Sequence, residues 1–173
     1  MMSEENKAIF KVFIRGRIED VWREVATVGV PLQGIFNAVM HTSAQIAKGV
    51  KMQMRTVSNQ CAIVIGEVLE YDPPRRFAHT HRFTQHDDPF TRVVYDLLEK
   101  DGGVELTLTV YDLPPGTNTE KEMMKGGTFM VNNIKAIVEN GKPPFSTRLM
   151  YWMFGKMEFV LPKKTHVENW PLK

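Results

Sequence analysis

The longest regular pattern of apolar positions runs over 119–140, where Met123, Met130, Ile134, Ile137 and Val138, with Gly127 in phase, recur three and four residues apart. That spacing places them on one stripe of a long helix. Thr119, followed three residues later by Glu122, predicts a capping box at its start, and Gly141, Pro143 and Pro144 end it. Gly126 and Gly127 lie inside the helix, where each costs about 1 kcal/mol relative to alanine. The pair therefore predicts close approach of a strand or a ligand to the helix backbone. Near the N-terminus the period is two: Ala8, Phe10, Val12 and Ile14 alternate with Lys7, Lys11 and Arg15 and predict a first strand. Ile9 and Phe13 interrupt its polar face, which implies a second cover or a subunit contact there.

After Gly16 the period becomes helical. Ile18, Val21, Trp22 and Val25 predict a short amphipathic helix with Trp22 as its largest buried group, ended by Gly29 and Pro31. Ile35, Phe36, Val39, Met40 and Ile46 predict a second helix closing at Gly49. From Val50 onward the chain reads as strands. Met52, Met54 and Thr56 alternate with Gln53 and Arg55, Ser58-Asn59 is a turn, and the apolar run 61–71 stops at Pro73 and Pro74. A strand over 76–84 puts Phe77, His79, His81 and Phe83 on one face, with Ala78, Thr80 and Arg82 on the other. Two further strands, 91–99 and 104–111, are joined by Asp101-Gly102-Gly103 as a hairpin. Strands joined by short turns are mainly antiparallel, and the one long amphipathic helix must cover their apolar face.

Composition narrows the classes. The chain has 173 residues, enough for one sizeable core. Its net charge of +2, with Lys and Arg scattered, gives no nucleic-acid footprint. The single cysteine, Cys61, cannot form an intrachain disulfide and favours a reducing compartment. The N-terminus lacks the apolar core of a signal peptide, and no apolar run approaches the ~20 residues of a membrane span. The expectation is a cytoplasmic domain without membrane insertion.

Chemistry is sparse. His79 and His81 project the same way from one strand and would suit a metal or a polar ligand group, but no carboxylate cluster or cysteine lies beside them. Cavity-lining or hydrogen-bonded histidines are the better reading, and no metal is assigned. His86, Asp87 and Asp88 before Pro89 read as a solvated turn, and Cys61 reads as a small apolar residue. Glu67 and Glu70 read as rim positions or partners for Arg75, Arg76 or Arg82 rather than as acids or bases. No nucleophile elbow and no phosphate loop occurs, and nothing calls for a cofactor or establishes catalysis. Met52, Met54, Met123 and Met130 suit either plain core or an adaptable apolar pocket.

The run from Gly66 through Glu67, Val68, Leu69, Glu70, Tyr71, Asp72, Pro73, Pro74, Arg75 and Arg76 to Phe77 resembles the SRPBCC or START-like superfamily, as do the early Val21-Trp22 and Gly126-Gly127 followed by Asn133-Ile134-Lys135. The resemblance is to the branch named for the C-terminal domain of the activator of Hsp90 ATPase, and it covers about residues 8 to 142. It implies an α+β helix-grip fold (START-like, Bet v 1-like), an antiparallel sheet wrapped around the C-terminal helix with a cavity between. The superfamily includes lipid carriers, hormone receptors, cyclases and chaperone regulators, so fold alone does not assign function. Many members of the branch carry tryptophan after the paired glycines; here Thr128 stands there, which implies a different cavity wall or helix contact.

These readings converge on one domain over 1–142 that binds a small hydrophobic or amphipathic ligand between sheet and helix. Trp22, Met52, Met54, Phe77, His79, His81, Phe83, Gly127, Met130 and Ile134 are the candidate lining. A chaperone-interacting module, which the branch implies, and a polyketide-cyclase-like enzyme are the alternatives. The extension 143–173 carries Leu149 to Phe154 and then Phe159 to Leu161, too much apolar surface to leave in water, and is expected to dock as a helix. Ile9 with Phe13, the cavity mouth, or a homodimer partner are its landing places. A bilayer surface is disfavoured, because the apolar residues nearly encircle the helix rather than forming one face.

Overall fold

A computed structural model describes residues 6–173. The elements run β1 (Ala8–Ile14), α1 (Ile18–Ala26), β2 (Pro31–Leu32), β3 (Ala38–Thr42), β4 (Lys51–Arg55), β5 (Ala62–Asp72), β6 (Arg76–Phe83), β7 (Thr91–Lys100), β8 (Gly103–Tyr111), α2 (Asn118–Asn140) and α3 (Phe145–Lys156), followed by three short turns of 3-10 helix. The strands form one antiparallel sheet in the order β1-β8-β7-β6-β5-β4-β3-β2. Consecutive strands from β2 to β8 are neighbours, and only β1 crosses the chain to reach its partner. The architecture is α+β, a curled sheet gripping helices, as the sequence predicts.

The core is the apolar face of that sheet packed under α1 and α2. Ile14, Val104, Leu106 and Val68 from the sheet, Val21 and Val25 from α1, and Ile134 from α2 are essentially removed from water. On β1 the residues Ala8, Phe10, Val12 and Ile14 face this core, and Ile9 and Phe13 remain exposed on the other face. Of the paired glycines only Gly127 has the predicted use, since a Cβ at Gly126 would sit 3.6 Å from the Phe36 ring in ordinary contact. A methyl group added at Gly127 would overlap the Phe10 ring, so its absence lets β1 approach the α2 backbone. Asp101 and Gly102 both adopt positive φ, 50° and 77°, which is the backbone a two-residue hairpin between β7 and β8 requires.

Three expectations are corrected. The helix predicted to close at Gly49 is absent: β2 and β3 occupy this region, separated by a turn in which Phe36 and Asn37 have φ of 52° and 58°. Ile35, Phe36, Val39 and Met40 mimic helical spacing, but pairing of β3 with β4 outweighs it, matching Met40 to Met54 and Thr42 to Met52. Secondly, the α2 cap lies two residues earlier than predicted. Thr117 Oγ accepts from Glu120 N at 3.2 Å, and the Glu120 carboxylate reaches back to Gly116 N at 2.7 Å. Thirdly, Trp22 is half-buried, while Ile18, Val21, Val25 and Ala26 form the buried side of α1.

Displacement of the cap releases Thr119 and Glu122 for another task. Asp88 accepts from Thr119 Oγ1 at 2.7 Å and from Thr119 N at 3.2 Å, and Glu122 lies 2.9 Å from His86 Nε2. The β6–β7 turn, expected to be solvated, thus latches onto the first turn of α2. A carboxylate at a helix N-terminus is favoured there, and the Thr119 hydrogen bonds hold Asp88 below its usual carboxylate range.

The extension is built as α3 and the turns that follow. Tyr151 donates to Gln33 O at 2.7 Å and accepts from Asn133 Nδ2 at 2.9 Å. Farther on, Val167 N bonds to Gln60 O at 2.9 Å, and Gln53 Nε2 donates to Trp170 O at 2.7 Å, so the last residues cross the outer face of β4 and β5. Neither Ile9 nor Phe13 is covered by it; they are 56% and 38% exposed.

Candidate functional site

Strand alternation puts every second side chain of β6 on the helix-facing side of the sheet. The register then supplies their neighbours: Phe77 lies opposite Tyr71 of β5 and Tyr95 of β7, His79 opposite Val68 and Val93, and His81 opposite Thr91. The rings form a continuous row. Trp22 contacts Tyr71 at 5.6 Å between centroids, Tyr71 contacts Phe77 at 6.1 Å, Phe77 lies 5.2 Å from His79, His79 6.2 Å from His81, and His81 4.6 Å edge-on from Phe83. Tyr95 closes a triangle, 6.1 Å from Phe77 and 6.3 Å from His79.

The polar groups in this row are dry and incompletely paired. His79 Nδ1 bonds to Thr80 O at 2.8 Å; as the donor, it leaves Nε2 as a free lone pair. His81 Nδ1 is buried without any hydrogen-bond partner. Desolvation pushes His79 down to about 4 and His81 down to about 3, with the neighbouring His79 also disfavouring charge on His81. Burial raises Tyr95, so its phenol stays protonated and can donate. At neutral pH the row offers neutral imidazoles and a phenol. Such groups recognise a carbonyl or hydroxyl in an apolar setting, but imidazoles with pKa values near 3 and 4 are weak proton acceptors at neutral pH. Among the described residues no group of three or more His, Cys, Asp or Glu gathers as a metal site.

The predicted lining residues occupy distinct parts of this side. Phe77, His79, His81 and Phe83 come together as the row, joined by Trp22 through Tyr71. Met52 and Met54 are buried in the same core from β4, and Met130 is packed against it, half-buried. Gly127 faces Phe10, and Ile134 packs against Gly34, where a methyl group would overlap it. Thr128 is exposed, so the departure from the branch pattern lies on the outer side of α2. Sequence reasoning missed Tyr95 and Tyr71, although the alternation of Thr91, Val93, Tyr95 and Leu97 would have placed Tyr95 inward. It also missed Asn133, buried on α2, which donates to Gln33 O at 2.6 Å. The two glutamates have ordinary roles: Glu70 pairs with Arg76, which also binds Asp96 at 2.6 Å, and Glu67 is exposed.

A cleft of about 570 Å³ opens on the other side of the sheet, where Gln53, Ile65, Thr80 and Phe90 meet Trp170 and Leu172 of the extension. No helix is long and apolar enough to cross a membrane among the described residues.

Solved structures with the same fold are numerous. The solution structure of the Aha1 dimer from Colwellia psychrerythraea matches with a TM-score of 0.61 at 13% identity, over 79% of this chain and 98% of that one. An HSP90 activator from Plasmodium falciparum, PFC0360w, matches with a TM-score of 0.60 at 14% identity, over 76% and 94%. DynU16, a protein of the dynemicin biosynthetic locus, matches with a TM-score of 0.63 at 18% identity, over 80% of this chain and 49% of that one. At such identities the likeness is one of fold. No curated protein matches the sequence significantly. The sequence matches the family described as activator of Hsp90 ATPase homolog 1-like protein over residues 7–139, nearly the whole span from β1 through α2, and the chain belongs to that family.

Proposed function

We propose that the protein binds a small amphipathic ligand between the sheet and α2, with an apolar body against Phe77, Phe83 and the methionines and a polar end at the His79–His81–Tyr95 row. The observation that carries this reading is the unpartnered Nδ1 of His81 on a side chain 8% exposed. A buried polar atom without a partner is disfavoured by about 1–3 kcal/mol, and a ligand carbonyl or hydroxyl would relieve it. Neutral imidazoles select against a fully charged ligand head, which would have to shed its water in an apolar site. Admission of a ligand requires Met52, Met54 and Met130 to shift, which the flexible thioether chain allows. The domain over 1–142 is the binding unit, working in a reducing cytoplasm where Cys61 stays a thiol.

Native mass spectrometry of gently purified protein tests the reading. A co-purified small molecule is expected, and His81→Leu is expected to change which molecule is retained while leaving the fold intact. An identical set of retained molecules in wild type and His81→Leu, or none in either, would overturn it.

A second reading is a module that contacts an Hsp90-type chaperone, supported by the family and by the similarity to the Plasmodium falciparum HSP90 activator. Co-purification with the chaperone and a change in its ATPase rate would distinguish it. His81→Leu is expected to leave that effect unchanged.

A further inference from the structure

On α3 the two groups that hold the helix to the fold are polar, Thr147 and Tyr151, and the large apolar side chains opposite them stay outside. Thr147 is buried and Tyr151 is hydrogen-bonded to Gln33 and Asn133, whereas Phe145, Leu149, Trp152 and Met153, spaced along the opposite side, are 72%, 47%, 62% and 45% exposed. In the turn that follows the helix, Phe159 and Val160 are exposed as well, at 85% and 62%. Single exposed apolar residues need no explanation, but a contiguous set of this size marks a docking surface. One side of the helix is anchored by Tyr151 and Thr147 and the opposite side is exposed and apolar, while Phe154, 53% exposed, extends the apolar surface toward the anchored side.

Charge identifies the occupant. Residues 142–164 contain Lys142, Arg148, Lys156, Lys163 and Lys164 against the single carboxylate of Glu158, while the whole chain is only +2, so the remainder is net negative. Glu158 accepts from Ser58 Oγ at 2.6 Å, and among the described residues no carboxylate pairs with Lys142, Arg148, Lys156 or Lys163. A second copy of the chain meeting this face across a two-fold axis would set the same cations against each other, which is unfavourable once water is excluded. An anionic, apolar-cored surface has neither problem. Tryptophan and phenylalanine among lysine and arginine are the side chains that settle at a bilayer interface. Twelve residues of helix reach about 18 Å, too short to cross a hydrocarbon core of about 30 Å.

We infer that the outward face of α3, together with Phe159 and Val160, docks in the plane of an anionic lipid bilayer. It uses no residue of the His79–His81 row, so it stands apart from the ligand reading.

Co-sedimentation of the full chain with vesicles of phosphatidylcholine alone, or of phosphatidylcholine with phosphatidylserine, tests it. Binding is expected to be at least about tenfold stronger with phosphatidylserine and to weaken as salt rises. Trp152→Ser with Phe159→Ser is expected to abolish pelleting, and Arg148→Glu with Lys156→Glu to abolish the preference for phosphatidylserine. Both replace exposed side chains, so unchanged melting curves are expected. Should the serine variant unfold, Trp152→Phe serves instead: it retains pelleting but loses the blue shift of Trp152 fluorescence on vesicles. Absence of binding to either vesicle, or equal binding to both, overturns the inference. So does a concentration-dependent dimer that Trp152→Ser dissolves in the absence of lipid.

Discussion

α2 and α3 follow each other in the chain, and each carries an apolar surface, but only the first has a complement inside the fold. α2 presents Gly127, Val131, Ile134 and Ile137 to the sheet side, and its neighbours are cut to fit: Phe10 fills the space above Gly127, and Gly34 makes room for Ile134. α3 buries Thr147 and is tied down by the Tyr151 hydroxyl, with Trp152 and Phe145 left outside. Two helices of apolar sequence therefore differ in what positions them, shape complementarity for one and a few hydrogen bonds for the other. The energetic consequences differ accordingly, since close packing of apolar area outweighs individual hydrogen bonds in net effect.

The largest effect is expected on the α2 side. Ile134→Asp places an unpaired charge at a fully buried position and should cost about 4 kcal/mol or more, enough to unfold the protein at ambient temperature. Lys135→Asp, one residue on, removes the ion pair to Glu139 and a hydrogen bond to Phe13 O, and should cost about 1 kcal/mol. Equal melting temperatures for these two variants would break the comparison.

Acid titration tests the row beneath α2. Both imidazoles have folded-state pKa values below the unfolded value of 6.5, so the unfolded chain binds more protons as pH falls through that value. Stability is therefore full above 6.5 and falls by about 1.4 kcal/mol per pH unit per histidine between 6.5 and about 4, below which only His81 continues down to about 3. Urea midpoints at pH 7 and pH 5 should differ strongly in wild type and by about half as much in His81→Leu. An unchanged pH dependence in that variant would remove His81 from the dry interior.

Smaller effects sharpen the contrast. Gly127→Ala gains helix propensity of about 1 kcal/mol but forces the Phe10 ring aside, and the net is expected to be a loss of about 1–2 kcal/mol. Combining it with Phe10→Leu should recover part of that loss. Tyr151→Phe should cost about 1 kcal/mol by leaving Asn133 and Gln33 short of a partner, read as faster amide exchange confined to α3. Trp152→Ser should change the melting temperature least of all, by an amount equivalent to less than about 0.5 kcal/mol.

Local signals carried the fold as far as they reach. The three-and-four spacing of Ile134 and Ile137, the Asp101-Gly102 turn and the alternation through His79 and His81 are written within a few residues of sequence. Residues 35–49 misled because Ile35, Phe36, Val39 and Met40 satisfy a helical template, while the deciding contact, β3 against β4, is made with residues 51–55. The cap at Thr117 was missed for a related reason. Thr119 and Glu122 also fit the local pattern, but Asp88 and His86 from a distant turn engage them. In the candidate site, the shared face of Phe77, His79, His81 and Phe83 was legible. Tyr95, Tyr71 and the missing partner of His81 depend on sheet register and on what lies across the interior, which no single strand records.

β1 has a consequence for synthesis of the chain. Ala8 pairs with Val110 and Ile14 with Val104, so the first strand made is completed by the last. During translation β1 must wait for about ninety residues before its partner exists, and the seat of α2 is complete only after that pairing, since Phe10 packs against Gly127. Through this interval Ile9, Phe10, Val12 and Phe13 form an adhesive segment on the nascent chain, and Lys7, Lys11 and Arg15 stand among them as charges that discourage strand-to-strand association. The alternation that positions β1 in the finished sheet also protects the unfinished one.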